Sequence, residues 1–300
     1  MVLAFIAATA ACSTSGSSSS STRGPGSDLP TSLSGNSADN LTQGLLLPLE
    51  AYMETDSESL TLQNAGLALE STCMARYGFR TPSRVVHASM PPGHDAANME
   101  RRYGVSDLAI AQRYGYHLET PIPKNDPASE QMTPQEKSVF AGGSRGGNGL
   151  MVPLREFGGL PVPTGGCAGE AMRRIGDANV DSGLPERLDM ESLDRSAADP
   201  RVQAALGAWT TCMAAKGYHA DSPETMDRVV PFASTPSATP TEIKVAVADV
   251  LCKKSTGLVT IWANAETKVQ NSMIEQNQIP LTNERKQLDA AIKNAAALLG

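Results

Sequence analysis

The sequence predicts a mostly α, disulfide-stapled helical domain with long loops, a small β-hairpin near 150–163 and a long C-terminal αα-hairpin. Three observations carry that expectation. Cys73-Met74-Ala75-Arg76-Tyr77-Gly78-Phe79 returns as Cys212-Met213-Ala214-Ala215-Lys216-Gly217-Tyr218, and each copy closes a stretch with apolar residues at helical spacing. Val247, Leu251, Leu258, Trp262, Ala265, Val269 and Met273 then hold one helical face of the C-terminal third. Of the 300 residues 40% are hydrophobic but only 4% aromatic, so the chain can bury a core built on Leu, Val, Ile, Met and Ala.

The start of the chain reads as an address. Residues 1–11, MVLAFIAATAA, are apolar and small, as in a secretory signal peptide, here without a basic residue ahead of Cys12. Thr9-Ala10-Ala11-Cys12 resembles the bacterial lipobox, which implies cleavage before Cys12 and a lipid on its thiol; Thr9 stands where that motif usually has Leu. Residues 12–40 are Ser/Gly/Pro-rich with too little apolar content to fold, and read as a lipid-attached flexible tether. Its mean span is about 30 Å for a flexible chain of that length. The expected home is the extracellular face of the cytoplasmic membrane, lipid-anchored, with secretion as the alternative.

Beyond the tether, residues 41–300 are expected to form a helical domain of two related halves, about 41–190 and 191–300. The repeated motif has a mechanical meaning. With Gly78 and Gly217 just past a helix end in the left-handed region, Phe79 and Tyr218 fall back onto Met74 and Met213, the contact of a Schellman stop. Setting Cys12 aside leaves Cys73, Cys167, Cys212 and Cys252, an even set that argues for two disulfides in an exported chain. Three pairings exist. The duplicated motif favours Cys73–Cys167 and Cys212–Cys252, each within one half, with Cys73–Cys212 as the main rival. Loops of that length stabilise by about 4–5 kcal/mol each in the chain-entropy picture.

The paired C-M-x-x-x-G-[FY] motifs, GGCAGEA around Cys167, CKKSTGLVTIW from Cys252, and the RYGV and RYGYH pieces resemble an exported (lipo)protein family of high-GC Gram-positive bacteria. The resemblance covers residues 45 to 280. It implies export and helical architecture; no activity is assigned to that family, so it implies no catalytic residues.

Between the cysteines, helices are expected over Ser57–Tyr77, Val105–Tyr114, Thr133–Phe140 with Pro134 in the first turn, Gly169–Ile175 and Leu188–Ser196, and from Pro200 onward. Ala141–Gly149 reads as a flexible glycine-rich tip, and Leu150–Pro163 as a hairpin turning at Gly158-Gly159. Thr241 is expected to cap a last long helix, with Gly257 as a break, Pro280 as a turn, and Leu288, Ile292, Ala295 and Leu299 on a returning helix. The stripe Leu258, Trp262, Val269 and Met273 is a core face or, on the sharper reading, a partner face for a neighbouring envelope protein.

Sites of chemistry are few. The net charge of −7 without a basic cluster makes a poor nucleic-acid binder, and no nucleic-acid partner is expected. No apolar run reaches the ~18 residues of a spanning helix. Gly142-Gly143-Ser144-Arg145-Gly146 matches G-x-S-x-G, and Asp181 and His219 follow in triad order, but an elbow needs a strand before and a helix after it. The same glycines lack the Lys-[Ser/Thr] of a P-loop. Asp177, Asn179 and Asp181 imitate a calcium loop with glycine misplaced and Leu188 where Glu is required. His87 and His94 flank Met90-Pro91-Pro92 without a third ligand. Glu170, Arg173 and Arg174 read as a solvated helix face. Neither a metal nor a cofactor is expected. The favoured function is a non-catalytic binding or adaptor module; the alternatives are an extracellular serine hydrolase using Ser144, or the solute-binding lipoprotein of an importer, which needs two α/β lobes.

Overall fold

A computed structural model describes residues 39–80, 85–86, 97–119, 132–147, 149–176 and 183–300. The expectations for residues 1–38 (the signal peptide, Cys12 and nearly all of the tether) and those for His87, His94 and Asp177–Asp181 lie outside the described residues. The main helices are α1 (Asp56–Arg76), α2 (Leu108–Tyr114), α3 (Pro134–Ala141), α4 (Gly166–Ile175), α5 (Leu184–Ala197), α6 (Pro200–Ala215), α7 (Pro240–Thr256) and α8 (Leu258–Leu299). Two antiparallel pairs complete the fold: β1 (Gly143–Arg145) with β2 (Met151–Pro153), and β3 (Glu156–Phe157) with β4 (Leu160–Pro161) around Gly158-Gly159.

Helix ends follow the chemistry of their caps. Thr55 and Thr133 each close a capping box with a glutamate three residues on, and Asp107 and Asp199 accept from the first free amides of α2 and α6. Both repeated motifs form Schellman stops. Phe79 N donates to Met74 O at 3.2 Å and Gly78 N to Ala75 O; Tyr218 N donates to Met213 O at 3.0 Å and Gly217 N to Ala214 O. The cap of α7 is Thr239, not Thr241. Pro240 occupies the first helical position, where its missing N–H costs nothing, and this puts the cap one residue earlier.

The disulfides join Cys73 to Cys167 and Cys212 to Cys252. The first ties the end of α1 to the start of α4, the second α6 to α7. Disulfides belong to an oxidising compartment, so the folded chain is non-cytoplasmic. No helix among the described residues is long and apolar enough to cross a membrane.

α7 and α8 meet at Gly257 (φ +66), the expected break. The turn expected at Pro280 is absent: α8 runs through it with a kink at Asn277 (φ −120, ψ 20). The proline removes one backbone donor. At the kink the Asn277 side chain donates to Met273 O at 2.8 Å.

The kink lets one helix serve two packing regions. Its first half enters the main core with Trp209, Met213, Met226, Tyr103 and Leu49. Its second half packs Leu288, Ala291 and Ala295 against Leu62, Ala65 and Leu69 of α1 and Ala171 and Ile175 of α4. Arg285 fastens that contact, pairing with Glu58 and donating to Met53 O at 2.8 Å. A third cluster holds Cys73, Met74, Val139 and Cys167. The expected two halves are therefore not two separate cores. Residues 41–53 and 97–116 share the main core with residues 188–281, because the first segment after the tether lies across α8.

Candidate functional site

The stripe read as a partner face is corrected first. Leu258, Trp262 and Met273 are buried and Val269 packs half-buried against the same core, so they carry the fold and present no docking surface. Trp262 also spends its indole N–H inside, donating to Ser196 Oγ at 3.0 Å.

Beside Trp262 lies a dense, buried polar arrangement. Arg102 follows the turn at residues 97–101, Asp189 and Ser192 come from α5, and Glu266 and Gln270 from α8. All five guanidinium N–H groups of Arg102 find acceptors. Nη1 donates to Ala97 O (2.8 Å) and Asp189 Oδ2 (2.6 Å), Nη2 to Asp189 O (2.9 Å) and Glu266 Oε1, and Nε to the Glu266 carboxylate at 3.1 Å. Tyr103 donates its hydroxyl to Glu266 Oε2 at 2.7 Å, and Gln270 donates to Asp189 Oδ1 at 2.8 Å while accepting from Leu49 N at 2.9 Å. Every one of these side chains is buried. Burial opposes the charge on Arg102, but the hydrogen bonds and proximity of Glu266 and Asp189 outweigh it and raise its pKa above the ordinary value. Burial pushes the Asp189 carboxyl up to about 6 against the pull of Arg102.

A second buried network lies along α7. Glu242, Asp249 and Lys253, spaced by seven and four residues, occupy its inner face. Lys253 Nζ donates to Asp249 Oδ2 (3.0 Å) and Val105 O (2.8 Å); Asp249 also accepts from Trp209 Nε1 at 2.9 Å and Tyr116 OH at 3.3 Å. Burial raises the Asp249 pKa and lowers that of Lys253, each opposed by the other's charge. The two RYG pieces make room for these charges. A Cβ on Gly104 would meet Lys253 Nζ at 2.8 Å, and one on Gly115 would meet Glu242 Oε1 at 2.5 Å.

At the rim of this network both ring nitrogens of His117 face acceptors: Nδ1 lies 2.8 Å from Glu242 Oε1 and Nε2 2.9 Å from Thr235 O. A neutral imidazole has one N–H, so only the imidazolium satisfies both. Burial works against that charge, yet the Thr235 carbonyl and the Glu242 carboxylate raise the pKa above 6.5. With a raised folded-state pKa, the stability from this pair is complete below about pH 6.5 and is lost as pH rises through the folded value. The melting-temperature gap between wild type and His117→Asn is expected to be widest below about pH 6 and to narrow as pH rises through the raised folded-state value. A gap independent of pH would contradict the charged ring.

These networks orient segments from across the chain, and their side chains spend their hydrogen bonds on one another and on backbone carbonyls. The concave surface next to them is a cleft of about 500 Å³ between α5, α6 and the segment at 221–224, with Leu193, Leu206 and Trp262 on its walls and Asp194, Asp221 and Glu224 around it. Among the described residues no group of three or more His, Cys, Asp or Glu is placed to hold a metal.

Ser144 is placed differently from the expected flexible tip. It lies on β1 opposite Val152, exposed, and β1 turns back into β2. An elbow requires the chain to enter a helix after the serine, so the G-x-S-x-G match has no elbow geometry. His219 follows α6 and is exposed, and no hydrogen bond among the described residues links it to Ser144. Glu170 pairs with Arg76 at 2.5 Å, while Arg173 and Arg174 are exposed in the last turn of α4. Ser144→Ala is expected to leave the melting temperature and any cellular phenotype unchanged; loss of phenotype in a folded, exported Ser144→Ala chain would restore the hydrolase reading.

The buried charges were the part missed in sequence. Asp249 and Lys253 have the spacing of a solvent-exposed helix pair. The available signal was their position on the same face as Val245, Ala246 and Cys252. No protein-family model, curated protein or solved structure matches this chain.

Proposed function

We propose that the chain is an exported lipoprotein, anchored through Cys12 at the outer face of the cytoplasmic membrane, that acts as a non-catalytic binding or adaptor module for an envelope partner. The observation that carries the reading is the pair of disulfides, one at the main core and one in the smaller cluster with Met74 and Val139, which belongs to an oxidising compartment. The lipobox-like residues before Cys12 and the Ser/Gly-rich stretch after it support the anchor. The binding role rests on a scaffold whose charged interior is consumed in holding helices together. Cys12→Ser is expected to shift the protein from the membrane fraction into the medium, read by fractionation and immunoblotting. Unchanged membrane partition of that variant would sink the anchor. Crosslinking of the tethered chain in cells is expected to capture a protein neighbour; a chain that yields none would count against the adaptor role.

A further inference from the structure

We propose that the β1–β2 ribbon, with the adjoining β3–β4 turn, is a bilayer-contacting wedge whose apolar tip enters the interface of an anionic membrane; this rests on the membrane-held reading above. Leu150, Met151 and Val152 are consecutive and 67%, 57% and 56% exposed, and Leu160 on the neighbouring turn is 45% exposed. Successive strand residues point to opposite faces, so the exposure of Met151 and Val152 means that neither face of β2 is covered among the described residues. The ribbon nevertheless has a firm root. Leu154 N donates to Gly142 O at 2.9 Å, and Gly142 lies so close to Gly166 that a Cβ would come within 2.3 Å of its amide, one residue from the Cys167 bridge.

Charge selects the occupant. Arg145 sits directly opposite Met151, and Arg155 follows β2. Both arginines are exposed and have no ion-pair partner among the described residues. Glu156 is the single acidic residue between 142 and 163, so this strip carries a net positive charge in a chain of −7. Apolar side chains flanked by arginines suit a bilayer interface, where the aliphatic part enters the acyl boundary and the guanidinium stays with headgroup phosphates. Strand addition by a second chain fits less well, because Pro153 and Pro161 remove amide donors from β2 and β4.

The test uses the full chain with Met151→Trp, mixed with phosphatidylglycerol vesicles containing brominated acyl chains. The new tryptophan is expected to be quenched, whereas the native Trp209 and Trp262, buried in the core, are not. Adding Leu150→Asp and Val152→Asp should lower vesicle partition about tenfold and remove the quenching, with the far-UV spectrum unchanged. Phosphatidylcholine vesicles should bind more weakly. A vesicle-bound Met151→Trp chain without quenching would overturn the wedge and leave the lipid anchor standing, as would a ribbon-dependent dimer in sedimentation without vesicle binding.

Discussion

Arg102→Met is expected to cost about 3–5 kcal/mol in urea unfolding, a large share of an ordinary total stability of about 5–15 kcal/mol. The reason is what the substitution leaves behind. Asp189 and Glu266 stay buried beside each other with no cation, and Ala97 O and Asp189 O lose a donor. The origin of the loss is separable from the arginine itself. Arg102→Met combined with Asp189→Asn and Glu266→Gln should recover much of the stability, because removing a buried network as a unit costs far less than breaking it. Removing the exposed Arg201, paired with Asp199 at the start of α6, should leave the urea midpoint essentially unchanged. An Arg102→Met chain as stable as wild type would refute the network as an organising element.

The disulfides give the second large effect, and the two differ in kind. Bridge Cys73–Cys167 closes a separation of 94 residues and Cys212–Cys252 one of 40. In the chain-entropy picture their removal costs about 5 and about 4 kcal/mol respectively. The first bridge lies in a small cluster with Met74 and Val139, so its loss should be local. Cys73→Ser with Cys167→Ser is expected to open residues 142–165 to protease while the main core survives as a protected fragment. Cys212→Ser with Cys252→Ser removes a tie between α6 and α7 inside the main core, and should lower the global transition. Equal, global destabilisation by both pairs would contradict the division into packing regions.

What was legible beforehand follows the range of the forces involved. Helix starts at Thr133-Pro134 and Asp199-Pro200 and the stops at Gly78 and Gly217 are set within a few residues, and local chemistry is visible in sequence. The disulfide pairing was legible because a duplicated stop motif placed two cysteines equivalently. The kink at Asn277 was not, because Pro280 breaks a helix unless tertiary contacts hold both sides, and here buried Met273 and Ile274 before it and Leu281 and Leu288 after it do so. Asp189 and Glu266 lie 87 and 164 residues from Arg102, and nothing local distinguishes the three from surface charges. The glycines that admit Lys253 and Glu242 stood in plain view in RYGV and RYGYH, but their purpose lies in a helix more than a hundred residues away.

Lipid attachment at Cys12 is the proposed means by which this disulfide-stapled helical module is held at a membrane. Mass spectrometry of the N-terminal peptide from protein extracted from membranes tests it most directly. The peptide is expected to begin at Cys12 and to carry a thioether-linked diacylglycerol. A chain that retains residues 1–11, or that begins elsewhere with Cys12 unmodified, would contradict it.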